Sequence, residues 1–228
     1  MRQGSRPPNI MVDVKICGLK DEATLRAVID GGARYIGFNF YSPSPRAITP
    51  EKAVALGQSV PADRIRVGVM VDPDNDLIAQ TSDALDAIQL HGKETPARVQ
   101  EVKETTGKVV IKALRIKDAA DLDPLPAFAD AADIILFDAK PPSTPGSLPG
   151  GNGLTFDWRL LQDLDLDVPW ILSGGLNASN LSDAVRLCAA PAVDVASGVE
   201  KAPGVKDATM IREFLQHAAI LPAADDLS

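Results

Sequence analysis

The chain has 228 residues, of which 45% are hydrophobic and 24% charged, a composition typical of a globular protein. The formal net charge of −8 argues against nucleic acid as a partner, because phosphate backbones are bound by clustered Lys and Arg. The apolar runs are shorter than the roughly 18–20 residues of a membrane span, and residues 1–9 are not expected to be a secretory signal. Two cysteines far apart in sequence indicate a reducing compartment, so we expect a cytoplasmic protein.

In chain order, short apolar runs alternate with amphipathic segments. Eight runs are predicted to be strands, at residues 12–17, 35–40, 66–71, 87–90, 109–114, 133–138, 170–173 and 192–196. Helices are predicted after them, with N-caps at Asp21, Thr49 and Asn177, a weak helix at 118–131 and one at 157–164. These elements form one domain, residues 12–220. We expect an N-terminal extension (1–11) to be disordered and a C-terminal tail (221–228) to be frayed.

The number and order of these elements predict the fold. Strands that alternate with helices form parallel sheets, and eight such units match a single (β/α)8 TIM barrel. The alternative is an open doubly wound sheet, which usually has five or six strands and a glycine-rich first turn. The first turn here, Gly18-Leu19-Lys20, lacks that glycine pattern, and this favours the barrel.

Active sites of such barrels lie at the carboxyl ends of the strands, and two candidates for chemistry stand there. Cys17 ends the first strand and shares a strand face with Lys15 and Asp13, which favours a functional thiol over a buried structural one. Asp138 ends the apolar sixth strand, and it is either a catalytic carboxyl or a cap of the next loop.

Three further polar residues are candidate ligands for a substrate. Arg46 follows the second strand and is either a solvated charge or a group that grips phosphate or carboxylate. His91 ends the fourth strand, where its position alone favours a rim histidine over a catalytic base. Asp194 lies in the eighth strand.

Small residues follow the sixth, seventh and eighth strands, where this fold often binds phosphate through backbone N–H groups. The candidate phosphate-binding residues are Gly153, Gly174, Gly175, Ser197 and Gly198. One glycine loop alone is typical of an ordinary turn, whereas three in consecutive loops favour a phosphorylated substrate. The loop after the sixth strand, 140–154, is the longest and is expected to act as a lid or to be disordered. No cluster has the spacing of a metal site.

Seven sequence blocks, in order along residues 14–207, resemble the phosphoribosylanthranilate isomerases of tryptophan biosynthesis. They are KICGL (15–19), GFNFY (37–41) with SPR (44–46), VGV (67–69), QLHG (89–92), Asp138 with GGNG (150–153) and FDW (156–158), LSGGL (172–176), and DVASGVE (194–200) with PGVKD (203–207). The resemblance implies an aldose–ketose isomerase, an intramolecular oxidoreductase that works without a metal or organic cofactor. Its reaction would be the Amadori rearrangement of N-(5-phosphoribosyl)anthranilate to 1-(2-carboxyphenylamino)-1-deoxyribulose 5-phosphate.

The resemblance also implies residue roles. Asp138 would be the general acid and Cys17 the general base, Arg46 would contact the anthranilate end, and the glycine loops would hold the phosphate. His91 and Asp194 are taken as further substrate-binding residues. We expect a semi-apolar strand end to keep Asp138 protonated, and nearby positive charge or amide dipoles to lower the pKa of the Cys17 thiol. The expected partner is a phosphorylated small molecule, with neither nucleic acid nor membrane, and the protein is expected to be a monomer or a homodimer.

Other functions stay open at this point. The aldose–ketose isomerase of histidine biosynthesis is expected to use paired aspartates at strands one and five, where this chain has Cys17 and Lys112-Ala113. An indole-glycerol-phosphate synthase relies on catalytic lysines, a glutamate and a longer N-terminal segment. A barrel retained only as a catalytically silent binding subunit is a third alternative.

Overall fold

The computed structural model describes residues 12–141 and 150–221, in which eight parallel strands form a closed barrel in chain order. The strands are β1 (Asp13–Cys17), β2 (Tyr35–Asn39), β3 (Ile65–Met70), β4 (Ala87–Leu90), β5 (Val109–Ile116), β6 (Ile134–Ala139), β7 (Trp170–Leu172) and β8 (Ala192–Val195). Because β8 pairs with β1, the ring has no open edge, and the predicted (β/α)8 barrel is confirmed over the open sheet. The expectations for residues 1–11, for loop residues 142–149 and for most of the tail lie outside the described residues.

Helices follow the strands and cover the outside of the barrel. They are α1 (Glu22–Asp30), α2 (Pro50–Gly57), α3 (Asn75–Ser82), α4 (Pro96–Thr106), α5 (Leu125–Ala131), α6 (Leu181–Cys188) and α7 (Ala208–Ala218). Asp21 and Thr49 cap α1 and α2 as predicted, because their side chains accept hydrogen bonds from backbone N–H groups of the first turn. Within the described ranges, no helix has the length and apolarity needed to cross a bilayer.

Two local predictions were wrong, and one element was missed. The N-cap of α6 is Asn180 rather than Asn177, whose side chain accepts hydrogen bonds within the preceding turn. The helix predicted at 157–164 is only a short 3₁₀ turn, Trp158–Leu161. An antiparallel hairpin of β9 (Glu200–Ala202) and β10 (Val205–Lys206) follows β8 and was not predicted.

The barrel interior changes from apolar to polar toward the site. Its apolar filling consists of Tyr35, Val67, Ala87, Ile111, Ala113, Ile134, Leu136, Ile171 and Ala192. Side chains alternate between the two faces of a strand, so the same inward faces also carry the polar residues that surround the pocket described below. These buried polar residues are Lys15, Gln89, Asp138, Ser173 and Asp194.

A buried ion pair on the outer side of the strands holds the loop after β4. Lys112 Nζ lies 2.6 Å from Glu94 Oε2 and donates to the carbonyl of Gly92 at 3.0 Å. Glu94 Oε1 in turn accepts the backbone N–H groups of Gly92 and Asp72, each at 2.9 Å. The pair therefore fixes the residues directly after His91.

We expect Lys112→Met to lower the free energy of unfolding by about 3–5 kcal/mol, because it leaves the Glu94 carboxylate buried without its cation. Urea denaturation followed by circular dichroism measures the loss. The control is Glu101→Gln, which breaks the more exposed Arg98–Glu101 pair and should cost no more than about 1 kcal/mol. Equal losses in the two variants would contradict the structural role of the buried pair.

Candidate active site

A pocket opens at the carboxyl ends of the strands, where the sequence predicts the site. Nine of the ten predicted site residues line it: Cys17, Arg46, His91, Asp138, Gly153, Gly174, Gly175, Asp194 and Ser197. Gly198 does not line the pocket. It lies so close to the backbone of Leu176 that any side chain would collide with the Leu176 carbonyl. The barrel thus brings together residues from distant parts of the chain.

The inward face of β1 carries Lys15 and Cys17. Lys15 is fully buried, and its Nζ lies 2.8 Å from Asp194 Oδ1, while Ser173 Oγ donates to Asp194 Oδ2 at 3.1 Å. Both carboxylate oxygens of Asp194 thus have protein partners, so its contact with substrate stays a prediction. Asp13, at the start of the strand, pairs at 2.7 Å with Arg34 and does not line the pocket.

The electrostatics of Cys17 correct one expectation. Burial raises the pKa of the Cys17 thiol, and Asp194 adds to the rise. The charges of Lys15 and Lys206 act in the opposite direction, toward the thiolate, without overcoming burial. The expected lowering of the Cys17 pKa was therefore wrong, because the depth of burial outweighs the nearby positive charge.

Asp138 lies in a line of buried polar side chains. Its Oδ2 is 3.1 Å from His91 Nε2, and its Oδ1 accepts the N–H of Ala139 at 2.9 Å. The other ring nitrogen, His91 Nδ1, is 2.8 Å from Gln89 Nε2. Gly150 packs onto this contact so closely that a Cβ there would lie 2.7 Å from Asp138 Oδ2 and 2.8 Å from His91 Nε2.

Arg46 is held by the unpredicted hairpin. Its Nε and Nη2 each lie 2.8 Å from the carboxylate oxygens of Glu200, and Nη2 also donates to the carbonyl of Gly151. Glu200 Oε1 is also 2.9 Å from Lys206 Nζ, which donates to the carbonyl of Ala196 at 2.7 Å. Arg46 is therefore buried and fixed, which decides against the solvated-charge interpretation.

Sequence reasoning missed that Glu200 and Lys206 form the buried ionic contacts that hold Arg46. Both lie in the last resemblance block, and the turn residues Pro203-Gly204 between them are the signal that indicates a hairpin. Burial lowers the pKa of Lys206, and Glu200 acts against that change.

The loops after β6, β7 and β8 meet at one side of the pocket. Leu154 of the first loop lies against Gly175 of the second, where a Cβ would be 2.7 Å from the Leu154 carbonyl. Ser197 begins a short 3₁₀ turn, Ser197–Val199, at the end of β8. The described residues contain no group of three or more His, Cys, Asp or Glu placed to hold a metal ion.

Comparisons with known proteins agree on one family. A family model described as N-(5'-phosphoribosyl)anthranilate (PRA) isomerase matches residues 14–217. The N-(5'-phosphoribosyl)anthranilate isomerase of Paracoccus denitrificans is 52% identical over 209 residues, which cover 91% of this chain and 97% of that protein.

Solved structures give the same result. Phosphoribosyl anthranilate isomerase from Thermotoga maritima matches with a TM-score of 0.82 and 35% identity, over 91% of this chain and 98% of that one. Another such isomerase, in complex with reduced 1-(o-carboxyphenylamino)-1-deoxyribulose 5-phosphate, matches with a TM-score of 0.78 and 33% identity at the same coverage. The predicted family is confirmed over the sister barrels: the chain belongs to the N-(5'-phosphoribosyl)anthranilate isomerase family and is an isomerase of tryptophan biosynthesis.

Proposed function

We propose that Asp138 and Cys17 act as general acid and general base in the isomerisation of N-(5'-phosphoribosyl)anthranilate. The observation that carries this proposal is that both residues line one pocket at the carboxyl ends of β6 and β1. Since β7 and β8 lie between these strands, the two groups can approach a flat substrate from different sides.

The first step needs an acid at the ribose ring oxygen. The Asp138 carboxyl donates its proton to that oxygen, the bond from C1 to the ring oxygen breaks, and the ring opens to a protonated Schiff base. Asp138 suits this role because its carboxyl is buried at the pocket and oriented by His91 and by the N–H of Ala139.

The second step needs a base at C2. The Cys17 thiolate removes the C2 proton, and the electron pair of that bond neutralises the Schiff base to give an enolamine. The thiol then returns a proton to C1, and the C2 hydroxyl proton passes to Asp138, which yields the ketone and restores both groups. Burial disfavours the thiolate in the free protein, but the positive charge of the Schiff base favours it when the base is needed.

The carboxylate and the phosphate of the substrate each have a suitable binding group in the pocket. Arg46 lines the pocket with its guanidinium fixed by Glu200, and it would bind the anthranilate carboxylate. The loops that contain Gly153, Gly174 and Ser197 would bind the phosphate through backbone N–H groups. A relative 33% identical binds a reduced carboxyphenylamino-deoxyribulose 5-phosphate, which supports a ligand with both a carboxylate and a phosphate. A cytoplasmic location and a monomer or homodimer fit the proposal.

We expect Cys17→Ser and Asp138→Asn each to lower kcat at least about 100-fold, because each removes a proton-transfer group. The assay follows the loss of phosphoribosylanthranilate fluorescence, with substrate made from anthranilate, phosphoribosyl pyrophosphate and the preceding transferase. The matched controls are Cys188→Ser on α6 and Asp183→Asn on the exposed face of α6, which should keep the wild-type kcat. Near-normal turnover in either site variant would show that its role is misassigned.

We also expect the Cys17 thiol to titrate above the ordinary value of about 8.5 for free cysteine, because burial raises its pKa. Lys206→Met should move the midpoint higher still, since it removes a charge that favours the thiolate. The rate of iodoacetamide alkylation against pH, in a Cys188→Ser background, measures the midpoint.

The control for that titration is Lys201→Met, which changes an exposed lysine on the same hairpin and should leave the midpoint unchanged. A wild-type midpoint at or below that of free cysteine would contradict the dominance of burial at this thiol.

A further inference from the structure

The side chains of Gln89, His91 and Asp138 form a chain of hydrogen bonds, and the Gln89 amide is its buried end. Gln89 is 1% exposed, and its Nε2 lies 2.8 Å from His91 Nδ1. On the far side of the ring, His91 Nε2 lies 3.1 Å from Asp138 Oδ2. Anything that decides which nitrogen of His91 carries a proton therefore acts directly on the proposed acid.

The other end of the Gln89 amide does not favour either orientation of the group. Gln89 Oε1 is buried and has no hydrogen-bond partner within residues 12–141 and 150–221. The oxygen and nitrogen of an amide have nearly the same size, so turning the group by half a rotation changes hydrogen bonding but not packing. Among the described residues, His91 is therefore the partner that determines which end of the Gln89 amide faces the ring.

The two orientations correspond to different proton contents of the His91–Asp138 pair. When Gln89 Nε2 faces the ring it donates to Nδ1, which must then be bare, so Nε2–H donates to an ionised Asp138. When Oε1 faces the ring it accepts from Nδ1–H, and one further proton is shared between His91 Nε2 and Asp138 Oδ2. The second state holds one proton more than the first.

We propose that Gln89 is a positioning residue whose amide turns with the proton content of the His91–Asp138 pair and so stabilises the acid in both of its states. This inference rests on the proposed role of Asp138 as general acid. Ring opening takes one proton from the pair, and formation of the ketone returns one, so both states occur in each catalytic cycle. A side chain that satisfies only one of them would hinder the other.

Other charged groups surround the pair and are common to both states. From neighbouring elements they are Arg115 on β5, which donates to the His91 carbonyl at 2.6 Å, the Lys112–Glu94 pair and Asp72 behind the loop, and Cys17 and Arg46 across the pocket. Within the described residues, the hydrogen bonds to the ring itself come from Gln89 and Asp138. Gln89 is thus the uncharged partner of the His91 ring. Rotation of its amide can favour either tautomer of His91 without displacing a charged side chain.

Nuclear magnetic resonance of the ¹⁵N-labelled protein tests the inference directly, because the chain has only two histidines, His91 and His217. The imidazole ¹⁵N shifts report which nitrogen of His91 is protonated between about pH 5 and 9. In the wild-type protein, we expect Nδ1 to gain a proton as the pH falls and the Gln89 side-chain amide signals to shift with the same midpoint. Amide signals that do not change while His91 titrates would overturn the proposal.

Two variants of Gln89 test the role of its amide. The first presents only acceptors to the ring, and the second removes the amide. An ionised Gln89→Glu carboxylate presents only acceptor oxygens, so Nδ1 should stay protonated where the wild-type protein changes tautomer. Gln89→Met satisfies neither state, and kcat should fall at least about tenfold while KM changes less than about threefold. Gln100→Met on the exposed face of α4 is the control and should match the wild type.

Failure of the inference and failure of the proposed function give different results. If Asp138→Asn keeps its turnover, Asp138 is not the acid, and the positioning role of Gln89 fails with it, whatever the resonance data show. If Asp138→Asn is inactive but the His91 tautomer and the pH profile of kcat are the same in the wild type and Gln89→Glu, only the inference about Gln89 is overturned.

Discussion

The ion pair between Lys15 and Asp194 is the interaction on which the site depends. The two residues are direct partners in the register that joins β1 to β8 and closes the barrel, and their side chains meet inside it at 2.8 Å. Burying two charges costs desolvation energy, which only a close contact with further hydrogen bonds offsets, and Ser173 supplies one to Asp194. Cys17 stands two residues after Lys15 on the same face, so the contact that closes the ring also places the thiol.

A second shared carboxylate joins the two sides of the pocket entrance. Glu200 binds both Arg46, from the loop after β2, and Lys206, from the hairpin after β8. Lys206 acts electrostatically on Cys17, whereas Arg46 lines the pocket and is proposed to bind the substrate carboxylate. One glutamate therefore holds Arg46 and a cation that favours the Cys17 thiolate in fixed positions relative to each other.

Most of the fold could be predicted from the sequence, because eight apolar runs separated by capped helices permit few architectures. Cys17 and Asp138 could be located because each ends an apolar run, and barrel geometry brings such ends together. The hairpin was missed, since β9 and β10 have only three and two residues and no apolar periodicity, and the turn residues Pro203-Gly204 are its main signal. The direction of the Cys17 pKa shift was also missed, because it depends on how deeply the thiol is buried, which a strand pattern does not state.

In the proposed mechanism, the substrate lies between Cys17 and Asp138, with its phosphate at the loops after β6, β7 and β8. A crystal structure of this protein with reduced 1-(o-carboxyphenylamino)-1-deoxyribulose 5-phosphate tests it most directly. We expect Cys17 Sγ to lie within about 4 Å of C2 and Asp138 to lie within about 3.2 Å of the oxygen released by ring opening. A bound ligand whose C2 is out of reach of Cys17, or whose phosphate lies at Arg46 instead, would contradict it.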